Sequence, residues 1–567
     1  MVLASEGALQ EEVGSTRSTG ARAGTAWLAA TVVWFVIALP VVAVLSFSGS
    51  DTQGLWEHLR GTVLPTYVLN TILLCAGVVS LAVSTGVATA WLVTMHDFPG
   101  RRWLEFALVT PLAMPAYILA YAYTDLLQVT GPVQAALRDA TGWGVRDYWF
   151  PEIRSLAGAV FVLGLALFPY IYLIARAAFI EQSANAVEAA RTLGQSRWMA
   201  FLRIALPMAR PAIMAGAVLV AMETMADFGA VKYFDLEVFT TGIYRAWFAT
   251  GNPAAAAQLA SMLLLVVLVG VFVEQASRGS RRYAAASGTA RQVRRARLSG
   301  LTGIAAMSLC LLPVLLGFFL PAAALVTMAY GSRDEVDQSR LVELATNTGL
   351  LAFVAALGIV ALSAATSLAM GRAMGMWRGV VRFAHLGYAT PGVVVAVGLL
   401  MVAGAIDALL RSSGVLANGA GLLLSGSFAV LMYAYLVRFF AVAHGPVDAA
   451  YVQQGPRFAE AARMFGLRRL AIAWRVELPM MRGTLLAACA LVLVDVVKEL
   501  PATMILRPFN FDTLATESFQ LATTERLDLA AVPALVIALV GLIPVVIICF
   551  GLRQVRPGHR EQGARAS

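Results

Sequence analysis

Apolar runs about twenty residues long alternate with short polar, arginine-bearing stretches along almost the whole chain. A bilayer core requires about 20 apolar residues per helix, so this rhythm predicts membrane-spanning helices. Six runs lie in the first half, near Trp27 to Phe47, Val68 to Met95, Leu104 to Leu127, Leu156 to Ile180, Pro211 to Val231 and Ala256 to Gln275. Six more lie near Leu301 to Tyr330, Leu350 to Met370, Phe383 to Ala403, Leu422 to Phe440, Leu485 to Leu506 and Leu529 to Leu552. The expected fold is an all-α polytopic membrane protein of twelve transmembrane helices.

Composition agrees: 59% hydrophobic and 13% charged residues with a mean hydropathy of +0.75 exclude a soluble protein of 567 residues. An even number of spans puts both termini on one side. Of 42 Lys and Arg, 28 fall in the tails and loops of one side and 11 on the other, with Arg176, Arg438 and Lys498 inside runs. The richer side is expected to be cytoplasmic. The net charge of +9 is thereby explained by topology and lipid headgroups, and no nucleic acid is expected as a partner. The N-terminal stretch, Met1 to Thr25, reads as a cytoplasmic tail before a retained first helix, because the first apolar run is too long for a cleaved signal and no small-residue cleavage site follows it. Cys75, Cys310, Cys489 and Cys549 fall singly inside runs and read as small apolar residues.

A twenty-residue pattern occurs twice: EAARTLGQSRWMAFLRIALP at Glu188 to Pro207 and EAARMFGLRRLAIAWRVELP at Glu460 to Pro479, offset by 272 residues. Glu-Ala-Ala is followed after three residues by Gly194 or Gly466, and the pattern closes on aliphatic-x-Leu-Pro, with Ile204 and Val476 as the aliphatic residues. Weaker echoes pair LNTILL at Leu69 with TNTGLL at Thr346, and MPAYILA at Met114 with TPGVVVA at Thr390. Between the halves, Ser277 to Leu298 holds seven arginines among Ser, Gly and Ala. The organisation expected is a tail (1–25), a first six-helix repeat (26–276), a basic cytoplasmic linker (277–298), a second repeat (299–552) in the same orientation, and a tail (553–567).

Each repeated loop is rich in helix formers and reaches Leu-Pro, where a helix loses a backbone hydrogen bond and is expected to end. The glycine permits a bend or a close backbone approach. The resulting short helix, turn and amphipathic stretch, with Glu followed by two alanines, suits close approach by another protein at the cytoplasmic face. An interfacial helix resting on headgroups through Arg197, Arg203, Arg468, Arg469 and Arg475 would also use these residues, but two copies with matched spacing favour docking.

Within the runs, Glu223 and Asp227 recur as Asp495 and Glu499 at the same offset. Spacing of i, i+4 predicts one helix face for each pair. Intramembrane carboxylates are costly and usually face a bundle interior or a water-filled path, so all four are candidate pathway residues. Pairing with Lys498, or placement near a helix end beside Lys232, is the alternative. Tyr117, Tyr121, Tyr123, Tyr170 and Tyr172 read as interface anchors, and Met222, Met225, Met480, Met481 and Met504 as packing residues. His58, His96, His385, His444 and His559 are scattered, so no metal site is assigned. The only lysines, in AVKYF and VVKEL, stand in no Walker A loop, so the chain carries no ATPase of its own.

At the duplicated loops the chain resembles the permeases of binding-protein-dependent ABC importers of the type I fold, whose EAA loop between the fourth and fifth helix of a six-helix unit docks in a groove of a cytoplasmic ATPase. The resemblance implies coupling roles for Glu188, Ala189, Ala190, Gly194 and Pro207, and for Glu460, Ala461, Ala462, Gly466 and Pro479. It implies two copies of a separate ATPase, which would use the ATP and magnesium, a periplasmic substrate-binding protein, an inner-membrane location, no cofactor on this chain and alternating access as the mechanism. YAYTDLLQVTGPVQAALRD from Tyr121, YWFPEIRSL from Tyr148, ADFGAVKYF from Ala226, FTTGIYRAWF from Phe239 and KELPATMILRPFNFDTLAT from Lys498 are similar to fused iron(III) permeases, which implies ferric iron as substrate. Thiamine, phosphonate, sulfate and polyamine permeases share related pieces. A proton-coupled secondary transporter, suggested by HDFPGRR at His96, leaves the duplicated loops unexplained, and a membrane enzyme is suggested only by the intramembrane carboxylates.

Overall fold

The computed structural model describes residues 30–52, 54–180, 194–277, 295–370, 381, 386–414 and 423–554. Glu188, Ala189, Ala190, both tails and most of the basic linker lie outside this set. Among the described residues, eleven helices are long and apolar enough to span a membrane, and a bent pair supplies a twelfth span. The protein is a multi-pass membrane protein, and the helices fall where the apolar runs predict.

The eighth, ninth and tenth spans, Gln338–Met370, Gly392–Ser412 and Phe428–Gln453, are shifted from their apolar runs, and three others depart from the sequence reading in ways that local structure explains. The third, Arg101–Ala113 with Ala116–Thr141, is bent by 94°. Pro115 takes ψ 146° and has no N–H, which stops one helix and starts the next. The fifth and eleventh spans, Trp198–Ala226 and Leu470–Lys498, both begin and end earlier than their apolar runs. They begin earlier because Leu-Pro does not stop them. Phe201–Ala205 and Ala473–Glu477 form π-helical turns, from which Leu206 N–H reaches the Phe201 carbonyl and Leu478 N–H reaches the Ala473 carbonyl. The wider turn absorbs the hydrogen bond that Pro207 or Pro479 cannot donate, and the helix continues. Leu315–Phe319 carries Leu320-Pro321 of the seventh span, Gly300–Gly331, in the same way.

The chain divides into two compact units. One contains the described residues of Met1–Gly49 with Thr346–Phe511. In it the first span, Ala30–Phe47, packs on the ninth, Gly392–Ser412, so closely that a Cβ at Gly398 would lie 2.2 Å from the Pro40 carbonyl oxygen. Tyr433 in the tenth span donates to the Val36 carbonyl at 2.5 Å. The first helix of one repeat is therefore a core element among helices of the other. Sequence repeats and compact units are different partitions of this chain.

The second unit contains Ser50–Ala345 with the described residues of Asp512–Ser567. Its centre is the pair formed by the second span, Leu64–Met95, and the fourth, Leu156–Ala178. A Cβ at Gly86 would fall 2.6 Å from Ile171, and one at Gly164 would fall 2.5 Å from Leu81. Small residues let these backbones meet where lipid gives no hydrophobic drive between helices. Of the tyrosines expected at the membrane interface, Tyr117, Tyr121, Tyr123 and Tyr172 lie instead in this unit's interior, and Tyr170 is half-buried. Tyr121 shares a 2.6 Å hydrogen bond with Ser518, Tyr123 donates to the Leu316 carbonyl at 2.6 Å, and Tyr172 donates to the Glu105 carbonyl at 2.8 Å. Cys75, Cys310 and Cys489 carry free thiols.

Candidate functional site

In the second copy of the repeated loop, the helix Phe428–Met464 runs from the membrane through Glu460, Ala461 and Ala462 and ends at Phe465. Gly466 follows with φ 75°, the left-handed conformation that glycine adopts without a side-chain penalty. Gly466 N–H donates to the Arg463 carbonyl at 2.9 Å and Leu467 N–H donates to the Ala462 carbonyl at 3.3 Å. These are the two bonds of a Schellman helix end. The fixed distance from Glu-Ala-Ala to Gly is thus the distance from the last turn of a helix to its left-handed cap. Leu467 and Val476 pack on Ala459, Ala462 and Ile472, so the aliphatic position of the motif closes the turn.

From the glycine onward, the first copy repeats the backbone. Gly194 has φ 85°, and Ser196 Oγ accepts from Met199 N–H at 3.2 Å to start the next helix. The π-turn and Leu-Pro then follow at the same offset, with Pro207 and Pro479 both exposed. Glu460 and Ala461 are exposed and Ala462 is buried. Two apolar positions, one helical turn apart, are exposed in both copies. Trp198 (67%) matches Leu470 (72%), and Leu202 (42%) matches Trp474 (68%). The sequence reading passed over these positions, although their i, i+4 spacing marked one face.

Side chains hold the two loops differently. In the first copy Trp91 lies between Phe179, which precedes the loop, and Phe201 within it, with ring centroids 5.4 and 4.6 Å away. In the second, the residues at those positions are Tyr451 and Ala473, and the Tyr451 hydroxyl reaches the buried Glu477 carboxylate at 3.4 Å.

The four membrane carboxylates do not form two helix-face pairs. The fifth span stops at Ala226 and the eleventh at Lys498, so Asp227 and Glu499 are the residues after the helix, with ψ 133° and 121°. Asp227 Oδ1 accepts from the N–H groups of Ala230 at 3.0 Å and Val231 at 3.2 Å, capping a short helix, Gly229–Tyr233. Glu499 caps Pro501–Leu506 in the same way through Ala502 and Thr503 N–H, both at 2.9 Å. It also accepts from Thr503 Oγ1 at 2.6 Å and Arg438 Nη1 at 2.5 Å. Charge at a helix N-terminus is stabilised by the unpaired N–H groups there. Glu223 is half-buried one turn before its helix end, as is Asp495. Among the described residues, no three His, Cys, Asp or Glu side chains group as metal ligands.

Residues 82–282 match the family described as binding-protein-dependent transport system inner membrane component. The chain is 25% identical over 488 residues to the Fe(3+)-transport system permease protein FbpB 2 of Haemophilus influenzae, covering 84% of this chain and 88% of that one. The molybdenum transport permease ModB of Escherichia coli is 28% identical over 214 residues, which is 36% of this chain but 90% of its own length. The sulfate permease CysT of E. coli is 26% identical over 249 residues, 42% of this chain and 86% of its own. Relatives of single-repeat size thus match about two fifths of this chain, whereas a relative of similar size matches most of it. Residues 82–282 thus match an inner-membrane component of binding-protein-dependent transport systems, most of the chain is similar to a permease subunit of such a system, and its helices fit a type I permease fold carried twice.

Proposed function

We propose that this permease imports ferric iron. The observation that carries the substrate is the alignment with a ferric permease across 84% of the chain, through both repeats. Single-repeat molybdenum and sulfate permeases align with about two fifths of it and supply the alternative cargoes. Iron arrives on a periplasmic binding protein. Two copies of a separate cytoplasmic ATPase dock on residues 188–207 and 460–479 and supply the ATP and magnesium, and the permease itself binds no cofactor and catalyses no reaction. Both termini and both loops lie in the cytoplasm, in keeping with the distribution of Lys and Arg.

The docking reading is supported by the paired geometry: an exposed apolar face at Trp198 and Leu202 or Leu470 and Trp474 follows a left-handed glycine in each copy. ATP-driven closure of the ATPase dimer then moves the two loops and opens the path outward. Asp227 and Glu499 stand where the fifth and eleventh helices break, so their carboxylates set the shape of the path by fixing the break. Glu223 and Asp495 remain the pathway candidates closest to the cargo.

The test is ATP-dependent uptake of radiolabelled ferric iron by proteoliposomes holding the chain, its ATPase and its binding protein, with molybdate, sulfate and thiamine as competitors. Uptake of iron that requires ATP and is abolished in a Glu188→Ala, Glu460→Ala double variant is expected. ATP-driven uptake of a competitor in place of iron overturns the substrate, and uptake without the ATPase overturns the mechanism.

A further inference from the structure

Arg101, counted among the cytoplasmic surface charges by its sequence position, is 5% exposed and belongs to a buried network. Glu105, 1% exposed, accepts from Arg101 Nη1 at 3.3 Å through Oε2 and from Arg176 Nη2 through Oε1. Arg101 Nη1 also donates to the Val93 carbonyl at 3.1 Å, and its Nε lies 3.4 Å from Asp97 Oδ1. Arg176 stands in the last turn of the fourth span, twelve residues before Glu188 of the first repeated loop. The Glu105 side chain therefore fastens the helix that leads into that loop. An ion pair placed this deep requires every partner, because loss of one leaves a buried charge unmatched.

Asp97 brings a second element to the same network. Strand β1, His96–Asp97, pairs in parallel with strand β2, Ala296–Arg297, at the end of the basic linker. Leu298 N–H donates to the Asp97 carbonyl at 2.8 Å and Arg295 Nε donates to the Thr94 carbonyl at 3.2 Å. The chain then turns at Gly300, φ 61°, into the seventh span, whose Gly303 would place a Cβ 3.4 Å from Pro99. The first helix of the second repeat is thereby tied to the turn that holds Asp97 and Arg101. At the corresponding positions the second repeat differs in sequence: in the register that pairs Pro115 with Pro391, Val381 stands for Glu105, and in the register of the repeated loops Asp448 stands for Arg176.

We propose that Glu105 is a positioning residue for the first coupling loop, holding its entry helix through Arg176 to a clasp that the linker strand Ala296–Arg297 closes. The proposal rests on the reading of that loop as the ATPase contact. Movement of the loop is then shared with the seventh span through Asp97 and Arg101, and ATP hydrolysis at that loop is spent on transport only while the clasp holds.

The experiment measures iron transported per ATP hydrolysed in proteoliposomes of the full complex, with ferric iron loaded on the binding protein. Glu105→Gln is expected to lower this ratio between about 5- and 150-fold, the usual range for a coupling between sites, while ATPase subunits stay bound and hydrolyse ATP. Glu105→Asp is expected to recover part of it. Leu298→Pro, which removes the N–H given to Asp97, is expected to lower the ratio too, whereas ten Gly and Ser residues inserted before Arg295 leave it unchanged. A parental ratio in Glu105→Gln or Leu298→Pro overturns the proposal. If Glu105→Gln does not assemble, Tyr172→Phe decides: it removes only the hydroxyl on the Glu105 carbonyl, and an unchanged ratio overturns the proposal. If the parental complex does not couple ATP to uptake, the reading of the loop as the ATPase contact fails instead.

Discussion

From the glycine onward the two repeated loops share a backbone, and they differ in what holds it. Both have a left-handed glycine, a π-turn and a Leu-Pro at matched positions. The first is gripped by Trp91 and lies beside the Arg101, Glu105 and Arg176 network, and the second by Leu467 and Val476 packing on its own helices and by Tyr451 on Glu477. The shared part is what the proposed ATPase would recognise in both copies. The anchoring has been free to diverge, because each copy answers only to its own neighbours.

The largest expected difference lies in the grip. Trp91→Ala removes a 7% exposed ring set against Phe179 and Phe201, and should destabilise by about 3–5 kcal/mol, read as a fall in the thermal midpoint in detergent. Leu368 follows the second-repeat echo of that helix, and Leu368→Ala should cost less; equal losses would break the contrast between the loops. The helix breaks differ next. Glu499→Ala strands Arg438 and should cost about 3–5 kcal/mol, against about 1 kcal/mol for Asp227→Ala, which loses only two capping bonds. Similar losses at both sites would mean that the Arg438 pair adds nothing.

The glycines sharpen the shared part. A Cβ at Gly194 or Gly466 meets nothing within 4 Å, so the cost of Gly→Ala is conformational alone. It should be roughly 1–2 kcal/mol in each copy, and Gly→Asn should cost less. A large difference between the two, measured by thermal unfolding and ATPase affinity, would show that the loops are not equivalent. Smallest of all, Tyr451→Phe should cost about 1 kcal/mol or less, given a 3.4 Å contact, with no change in the first loop's behaviour.

The spans and the duplication were legible because long apolar runs and a repeated twenty-residue string leave little freedom. Pro207 and Pro479 misled, since the rule that proline ends a helix holds for an α-turn and a π-turn evades it. Asp227 and Glu499 misled differently: apolar residues continue past both, so hydropathy ran on through AVKYF and LPATMIL while the carboxylates ended the helix. The clasp was half visible. Asp97, Arg101 and Glu105 stand at i, i+4 spacings, but a count of positive charges treats an arginine near a span as solvated. Its other half, Ala296–Arg297 paired with His96–Asp97, joins segments two hundred residues apart and carried no local signal.

The central claim is that one chain presents two coupling loops. Native mass spectrometry of the detergent-purified complex, parent against Gly466→Pro, tests it most directly. The parent should carry two ATPase copies per permease chain, and the variant should carry one, held at the first loop. A parent with a single ATPase, or a variant that keeps both, would contradict the account.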